Sequence, residues 1–213
     1  MPGALLLDLD RTIVDVGSFV DYDSAWAEVV AIVGDPDAPA DLGLETFWTP
    51  ATRACAALLA ALPPGETWDR VDRVVASYEL AGAARSIPTP GAPQFLEVVA
   101  DRPTAVVTRL SAEAASLALD RNGMHVDVVV ARDPQVRPKP SGDGVRRALA
   151  MLGAPATDAV MVGDSTWDAA AAADAGVRFI GVHAPKKEFR ALFPDVRVCD
   201  SLADVLRRLR RLG

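Results

Sequence analysis

The segment LLLDLDRT at Leu5–Thr12 constrains this chain more than any other stretch. Three consecutive leucines followed by carboxylates at alternate positions predict a strand that is buried on both faces and ends in an acidic tip. Side chains alternate faces along a strand, so Asp8 and Asp10 share one face while Leu9 points the other way. Two like charges this close cost stability, and they persist where a divalent cation neutralises them or where one carries a proton. The pattern Asp-x-Asp-x-Thr therefore predicts a catalytic strand end rather than a solvated turn.

Length and composition limit the class of protein. The chain has 213 residues, of which 50% are hydrophobic, so it can bury the core of one domain with an insertion. Its 22 basic and 29 acidic residues give a net charge of −7, and no basic tract is long enough to attract nucleic acid. Cys55 and Cys199 show no zinc or disulfide pattern, which fits a reducing compartment. Without a leader or a membrane-length apolar run, we expect a cytoplasmic protein that binds neither nucleic acid nor membranes.

Residues 15–85 show helical spacing only. Three helical runs are predicted, at about 21–32, 49–62 and 67–84, and a cluster of Gly, Asp and Pro at 34–39 interrupts the chain between the first two. No part of this stretch has the pattern of a buried strand. The sequence therefore predicts an all-helical cap over 15–85, inserted into an α/β catalytic core formed by 1–14 and 86–213.

Strands and helices alternate after the insertion. Apolar strands are predicted at 104–108, 126–130, 159–162 and 178–182, with a weak edge strand at 196–198 and helices at 95–100, 111–122, 143–152, 166–175 and 202–212. This alternation predicts an α/β fold with a doubly wound parallel sheet and helices on both faces. Ligands of such sheets bind beyond the carboxyl ends of the strands, which would bring Asp8, Thr108 and Asp164 together.

Four segments resemble the hydrolases of the haloacid dehalogenase superfamily. They are LLLDLDRTIVD at 5–15, the strand that ends in Thr108, the Lys139-Pro140 pair ahead of ALAMLG at 148–153, and VGDSTWDAAAAADAG at 162–176. The chain is most similar to the phosphatases of this superfamily, of the phosphoglycolate-phosphatase-like type with a helical (C1-type) cap after the first strand. The resemblance implies a magnesium-dependent phosphatase that hydrolyses a small phosphorylated metabolite through an aspartyl-phosphate.

The resemblance implies a role for each catalytic position. Asp8 would attack phosphorus, and Asp10 would protonate the departing alkoxide and then accept a proton from water. Thr108 would donate its hydroxyl to a phosphate oxygen, and Lys139 would bring a positive charge to the phosphoryl group. Because Arg137 and Lys139 both precede a proline, two registers are open for this lysine motif; counting back from Ala148-Leu149 favours Lys139.

The same resemblance implies the ligands of Mg²⁺. The Asp8 side chain, the Asp10 backbone carbonyl and the Asp164 side chain would supply the oxygen ligands, with phosphate and water completing the octahedron. Asp168 lies one helical turn after Asp164 and would orient either the waters of the metal or Lys139.

Two positions depart from the family pattern, and the cap adds weaker candidates. Arg11 replaces a common glycine, and Arg109 stands where a small or amide residue often follows Thr108. Each could bind an anionic substrate bidentately or point to solvent. Cap residues that could contact substrate are Asp21, Tyr22, Trp26, Trp48 and Arg53, although aromatic residues in a helical bundle are more often part of its core.

Other activities on this scaffold remain to be weighed. A dehalogenase is disfavoured because it does not need the acid that Asp10 supplies, and a phosphonate-cleaving enzyme would need a cap lysine, which residues 15–85 lack. A receiver domain would lack the helical insertion and the Gly-Asp-x-x-x-Asp segment. A phosphomutase and a catalytically silent binding protein stay open as alternatives.

Overall fold

The computed structural model describes residues 2–34, 48–184 and 186–212, and in these residues it contains one six-stranded sheet. The strands in chain order are β1 (Ala4–Leu7), β2 (Val14–Asp15), β3 (Ile87–Pro88), β4 (Thr104–Val107), β5 (Val128–Val130), β6 (Ala159–Gly163), β7 (Arg178–Val182) and β8 (Arg197–Cys199). The sheet order is β5-β4-β1-β6-β7-β8 and every pairing in it is parallel. The first strand of the chain therefore lies in the middle of the sheet.

Helices cover both faces of this sheet, as the alternation of strands and helices predicted. They are α4 (Ala92–Val99), α5 (Ala112–Arg121), α6 (Asp143–Leu152), α7 (Thr166–Asp174), α8 (Lys186–Leu192) and α9 (Leu202–Leu209). Within β1, Leu5 and Leu7 pack into one hydrophobic cluster with α4, α5 and α9, whereas Leu6 packs into a second cluster with α6 and α7. The predicted doubly wound parallel fold is confirmed, because one strand buries its alternate side chains on opposite faces.

Three helices form a separate cluster between β2 and β3. They are α1 (Tyr22–Val33), α2 (Pro50–Ala61) and α3 (Glu66–Ala83), and their apolar faces meet around Val29, Cys55, Trp68 and Val71. At the base of this helical insertion, β2 pairs antiparallel with β3, so the two connections to the sheet lie side by side. Most of the Gly/Asp/Pro cluster at 34–39 lies outside the described residues.

Several local features differ from the predicted pattern. The helix α8 and the ribbon of β2 and β3 were not predicted, and α9 ends at Leu209 rather than at residue 212. Strand β5 begins only at Val128, because Asp127 uses its carboxylate Oδ2 to accept a hydrogen bond of 2.8 Å from the Thr104 backbone N–H at the sheet edge. In the described part of the chain, no helix combines the length and hydropathy needed to cross a membrane.

Candidate active site

Asp8 follows β1 at the carboxyl edge of the sheet, and its carboxylate is held from two sides. The Lys139 ammonium donates to Asp8 Oδ1 at 2.6 Å, and the Thr12 hydroxyl donates to Asp8 Oδ2 at 2.9 Å. Asp8, Thr12 and Lys139 are all buried. Both carboxylate oxygens are therefore oriented by charge-assisted hydrogen bonds, which fix the plane of the carboxylate.

Lys139 is itself fixed by groups from three parts of the fold. Its Nζ donates to Asp168 Oδ1 at 2.5 Å and to the Val107 carbonyl at the end of β4 at 3.0 Å. Asp168 is held in turn, because its Oδ2 accepts from the Ser165 hydroxyl at 2.6 Å and from the Ser165 backbone N–H at 3.1 Å. Ser165 and Asp168 form the capping box that begins α7. The start of this helix thereby positions the ammonium group against Asp8.

Three buried carboxylates meet at this point, and we call Asp8, Asp164 and Asp168 the carboxylate cluster. Ligand oxygens of the three lie within 4.8 Å of one another. Burial raises the pKa of Asp8 to about 7, with Lys139 opposing the rise, and burial followed by repulsion from Asp8 raises the pKa of Asp164 well above its usual value. One ammonium therefore does not stabilise all three groups as anions, and Asp8 and Asp164 keep their protons to a higher pH than usual unless a further cation is bound. Hard oxygen donors in this arrangement fit a divalent cation such as Mg²⁺.

Asp10 is oriented by the chain that enters the helical insertion. Its Oδ1 accepts backbone hydrogen bonds from Val16 and Gly17, both at 2.8 Å. A Cβ at position 17 would lie 2.5 Å from Asp10 Oδ2, so only glycine permits this close approach. Burial raises the pKa of Asp10, and the two backbone hydrogen bonds partly offset the rise. One oxygen is thus fixed, while the environment favours a proton on the group.

Thr108 follows β4 and is buried beside the strand end of Asp8. Its hydroxyl oxygen accepts a hydrogen bond of 3.2 Å from the Leu110 backbone N–H, and its own backbone N–H donates to the Val130 carbonyl at 2.9 Å. These contacts hold the hydroxyl at the carboxyl edge of the sheet. Because its oxygen already accepts from Leu110, its proton is the part that can serve a ligand.

Next to Thr108, the Arg109 guanidinium lies between two tryptophan rings. Its Cζ is 4.0 Å from the ring centroid of Trp167 and 5.3 Å from that of Trp48, and the two rings meet edge to face at 5.1 Å. Ring faces attract a cation through their quadrupole, but they offer no hydrogen-bond acceptor in the guanidinium plane. Burial lowers the pKa of Arg109 to about 9, since no neighbour fully compensates the loss of water.

A second arginine joins the sheet to the helical insertion. Arg132 donates from Nη1 to Glu79 Oε1 and from Nε to Asp72 Oδ1, both at 2.7 Å, and from Nη1 to the Arg109 carbonyl at 2.8 Å. Glu79 is buried and also accepts from the Ser111 backbone N–H at 2.9 Å. Burial acts to lower the pKa of Arg132, but Glu79 and then Asp72 outweigh it and raise that pKa. We call Trp48, Arg109, Arg132 and Trp167 the arginine–tryptophan wall.

One cavity of about 160 Å³ joins these features. Its lining includes the carboxylate cluster, Asp10, Thr108, Lys139 and the arginine–tryptophan wall, with Tyr22, Cys55, Leu59 and Trp68 from the helical insertion. Cavities that combine apolar walls with a few converging polar groups are typical sites for small molecules. The cavity therefore brings carboxylates, an ammonium group, guanidinium groups and aromatic rings around one small ligand.

Of the remaining candidates, Arg137 lies at this cavity, whereas Arg11 and Arg53 are not among its lining residues. Arg137 is exposed and pairs with Asp143 at 2.6 Å, so Lys139 alone of the two cations contacts Asp8. Arg11 has a left-handed backbone with φ of 60° and lines a neighbouring cavity that shares Asp10. Arg53 was an expected substrate contact, but it is exposed and does not line the cavity. On α2 the residues that line the cavity are Thr52, Cys55, Ala56, Leu59 and Ala60, and Arg53 is not one of them.

The other cap candidates fall into three groups. Trp48 and Tyr22 line the main cavity. Asp21 is the N-cap of α1, where its carboxylate accepts from the Ser24 backbone N–H at 3.0 Å, and it lines only the neighbouring cavity. Trp26 packs against the hydrophobic cluster of the insertion. The expectation that aromatic residues here serve the core is thus met by Trp26.

Sequence reasoning assigned no role to several site residues. Thr12 lies in the motif at 5–15 and Trp167 in the motif at 162–176. The pattern Ser165-x-x-Asp168 is typical of a capping box and could have indicated why Asp168 is fixed. Arg132 and Glu79 carry no such signal, because their pairing depends on how the insertion packs on the sheet.

Comparisons with known proteins agree with this architecture. A family model described as haloacid dehalogenase-like hydrolase matches residues 2–176. IndB of Dickeya dadantii, which is named a probable phosphatase, is 29% identical over 192 residues, covering 85% of this chain and 81% of that protein. PpaX of Caldanaerobacter subterraneus subsp. tengcongensis, which is named a putative pyrophosphatase, is 41% identical over 81 residues, so the match spans only 37% of each chain. A hydrolase from Pseudomonas syringae has the same fold, with a TM-score of 0.73, 22% identity and 99% of both chains covered.

The family match covers most of the chain, including the strand that ends in Asp8 and the helix that begins beside Asp168. This protein belongs to the haloacid dehalogenase-like hydrolase family, as its motifs predicted.

Proposed function

We propose that this protein is a magnesium-dependent phosphatase that hydrolyses a small phosphorylated metabolite through an aspartyl-phosphate on Asp8. The single observation that supports this most is the setting of Asp8. Its carboxylate lies 2.6 Å from the Lys139 ammonium, within 4.8 Å of the Asp164 and Asp168 oxygens, and beside Asp10 on the same strand end. A nucleophile, a cation and a proton carrier are thereby gathered in one small cavity.

The proposed reaction has two steps that use residues of this chain. In the first, an Asp8 oxygen forms a bond to phosphorus, the ester P–O bond breaks, and Asp10 gives its proton to the departing alkoxide. In the second, water attacks phosphorus, Asp10 takes a proton from that water, and the bond to Asp8 breaks to release phosphate. The raised pKa of Asp10 supports its holding a proton before the first step.

The other residues act on charge and orientation. Lys139 neutralises charge on the phosphoryl oxygens and on Asp8, and the Thr108 hydroxyl donates to a phosphoryl oxygen. Asp168 acts through Lys139, whose ammonium it holds. Asp8 and Asp164, with the Asp10 carbonyl, would hold Mg²⁺. When bound, this ion supplies positive charge that lets an anionic ester approach a carboxylate nucleophile.

The test is hydrolysis of p-nitrophenyl phosphate with and without magnesium chloride. We expect activity that requires the metal, and Asp8→Asn should lower kcat by at least about 1,000-fold because the amide is not a nucleophile. Asp101→Asn is the matched control, since Asp101 is exposed and does not line the cavity. Circular dichroism should show the fold of both variants unchanged.

The same assay separates the alternatives. A phosphomutase would convert a sugar phosphate without net release of phosphate, and a catalytically silent binding protein would release none from any ester. Wild-type rates in Asp8→Asn would contradict the proposed mechanism outright.

A further inference from the structure

Three buried donors on the walls of the cavity have no hydrogen-bond partner within the described residues. They are Arg109 Nη1, Arg132 Nη2 and Trp167 Nε1. A buried donor without an acceptor costs stability, and three of them around one cavity are unusual for a folded protein. All three belong to residues of the arginine–tryptophan wall that line the cavity of Asp8.

The charges of the wall also indicate a missing acceptor. Arg132 meets the carboxylates of Glu79 and Asp72, whereas Arg109 has no carboxylate within 4.0 Å in the described part of the chain. The Arg109 cation is instead kept between the rings of Trp48 and Trp167. Stacking fixes the guanidinium plane and leaves its edge free for an acceptor, which is the arrangement that binds a carboxylate or phosphate side-on.

The proposed reaction assigns the oxygens of the reacting phosphoryl group to other residues and leaves these three donors unused. That group is served by Lys139 and Thr108, which with Asp8 form the other part of the cavity lining. An acceptor for the wall must therefore belong to a different part of the ligand. Neutral acceptors would satisfy N–H groups, but only an anion would also compensate the buried charge of Arg109.

We infer that the arginine–tryptophan wall is a subsite for a second anionic group of the substrate, so that the substrate is a small phosphomonoester with a carboxylate or a second phosphate near the scissile bond. The inference rests on the proposed phosphatase activity for its choice of ligand. Arg109 is the principal contact, Arg132 and Trp167 contribute one donor each, and Trp48 holds the Arg109 plane. The wall and Asp8 line the same cavity, so one small ligand can contact both.

The test measures binding in the Asp8→Asn variant, so it does not depend on turnover. Isothermal titration calorimetry with magnesium chloride would compare ethyl phosphate, carboxymethyl phosphate and ethylene glycol bisphosphate, which share an alkyl phosphate and differ in the distal group. We expect one of the two anionic ligands to bind at least about 10-fold more tightly than ethyl phosphate. The preferred one tells whether the subsite takes a carboxylate or a phosphate. Equal affinity for all three, or no binding of any, overturns the inference.

Substitutions in the same background assign the effect to residues. Arg109→Gln should abolish the preference while changing ethyl phosphate affinity by less than about 3-fold, and Arg109→Lys should keep part of it because the charge remains without the planar fork. Trp167→Phe keeps the ring and removes one donor, so a smaller loss is expected. Arg197→Gln, an exposed arginine on β8, is the matched control and should change nothing. If Arg109→Gln weakened all three ligands in parallel, Arg109 would be a structural residue only.

Turnover by the wild-type protein separates this inference from the proposed function. Preferential binding without hydrolysis of any of the three esters would leave the subsite standing and remove the phosphatase. Hydrolysis of all three with equal kcat/KM would support the phosphatase and remove the subsite.

Discussion

The carboxylate cluster and the arginine–tryptophan wall line the same cavity, but they balance their charges in opposite ways. In the cluster, the one ammonium of Lys139 contacts two of the three carboxylates, Asp8 and Asp168, so acidic groups outnumber the cation. In the wall, Arg132 meets two carboxylates while Arg109 is held by ring faces, so a cation and several N–H donors remain without acceptors in the described residues. One region is therefore prepared for a cation and the other for an anion.

This difference separates the residues proposed for the reaction from the residues proposed for substrate selection. In the cluster, Asp8 and Asp164 follow strand ends of the sheet and Asp168 is fixed by the capping box of α7. Side chains that react must keep their positions to within fractions of an ångström. The wall combines Arg109, Arg132 and Trp167 from the core with Trp48 beside α2, so its shape depends on how the helical insertion packs on the sheet. Substitutions in the cluster should lower the activity toward every substrate. Substitutions in the wall should lower it only for substrates that carry a second anionic group.

The largest expected effect lies on the proton carrier beside the cluster. Asp10→Asn should lower kcat/KM for alkyl phosphates by about 100- to 10,000-fold, because the amide cannot protonate a poor leaving group. The loss for p-nitrophenyl phosphate should be about 10-fold or less, since nitrophenolate leaves with little help. Steady-state kinetics on the two esters measures this ratio. An equal loss for both would argue against the acid role and would place Asp10 with groups that merely hold the site together.

The next effect concerns the ion pairs that fasten the wall to the insertion. Glu79→Gln should lower the free energy of unfolding by about 3 kcal/mol, because it leaves the buried Arg132 guanidinium short of one of its two carboxylates. Urea unfolding followed by circular dichroism measures the change. Glu97→Gln is the control, as Glu97 is exposed on α4, and it should stay within about 0.5 kcal/mol of wild type. A Glu79 variant as stable as this control would show that the buried pair contributes nothing to holding the insertion.

The smallest of the three expected free-energy changes is in magnesium binding, which the acidic groups of the cluster are proposed to provide. Asp164→Asn should weaken magnesium binding by at least about 100-fold, as a direct oxygen ligand loses its charge. Asp168→Asn should weaken it less, because both Asp168 oxygens are already engaged by Lys139 and Ser165. Calorimetric titration of magnesium chloride into each variant gives both affinities. A larger loss of magnesium affinity in Asp168→Asn than in Asp164→Asn would indicate that Asp168, and not Asp164, is the direct ligand.

The sequence was informative about the cluster and the fold for one physical reason. Buried parallel strands have a distinctive apolar pattern, and the residue after each strand end must lie at one edge of the sheet, so Asp8, Thr108 and Asp164 could be brought together without coordinates. Short or edge elements gave weaker patterns. The ribbon of β2 and β3 has two residues in each strand, too few for any periodicity.

The wall could not be predicted in the same way. From the sequence, Arg109 is only a departure from a family pattern, and contact with substrate and exposure to solvent are equal alternatives for its side chain. Nothing in the local sequence indicates which rings will enclose it. Its partners Trp48 and Trp167 lie 61 residues before and 58 residues after it in the sequence. Contacts between such distant segments depend on how the insertion packs on the sheet. Composition and residue spacing do not predict this packing.

The proposed mechanism requires Asp8 to be the nucleophile, and trapping the phosphorylated protein tests this directly. The wild-type protein would be mixed with p-nitrophenyl phosphate and magnesium chloride, quenched in acid within milliseconds, digested and analysed by mass spectrometry. We predict that the peptide containing Asp8 gains the mass of one phosphoryl group, that hydroxylamine removes it, and that Asp8→Asn never acquires it. Release of phosphate with no modified Asp8 peptide, or a phosphoryl group found on another residue, would contradict the account.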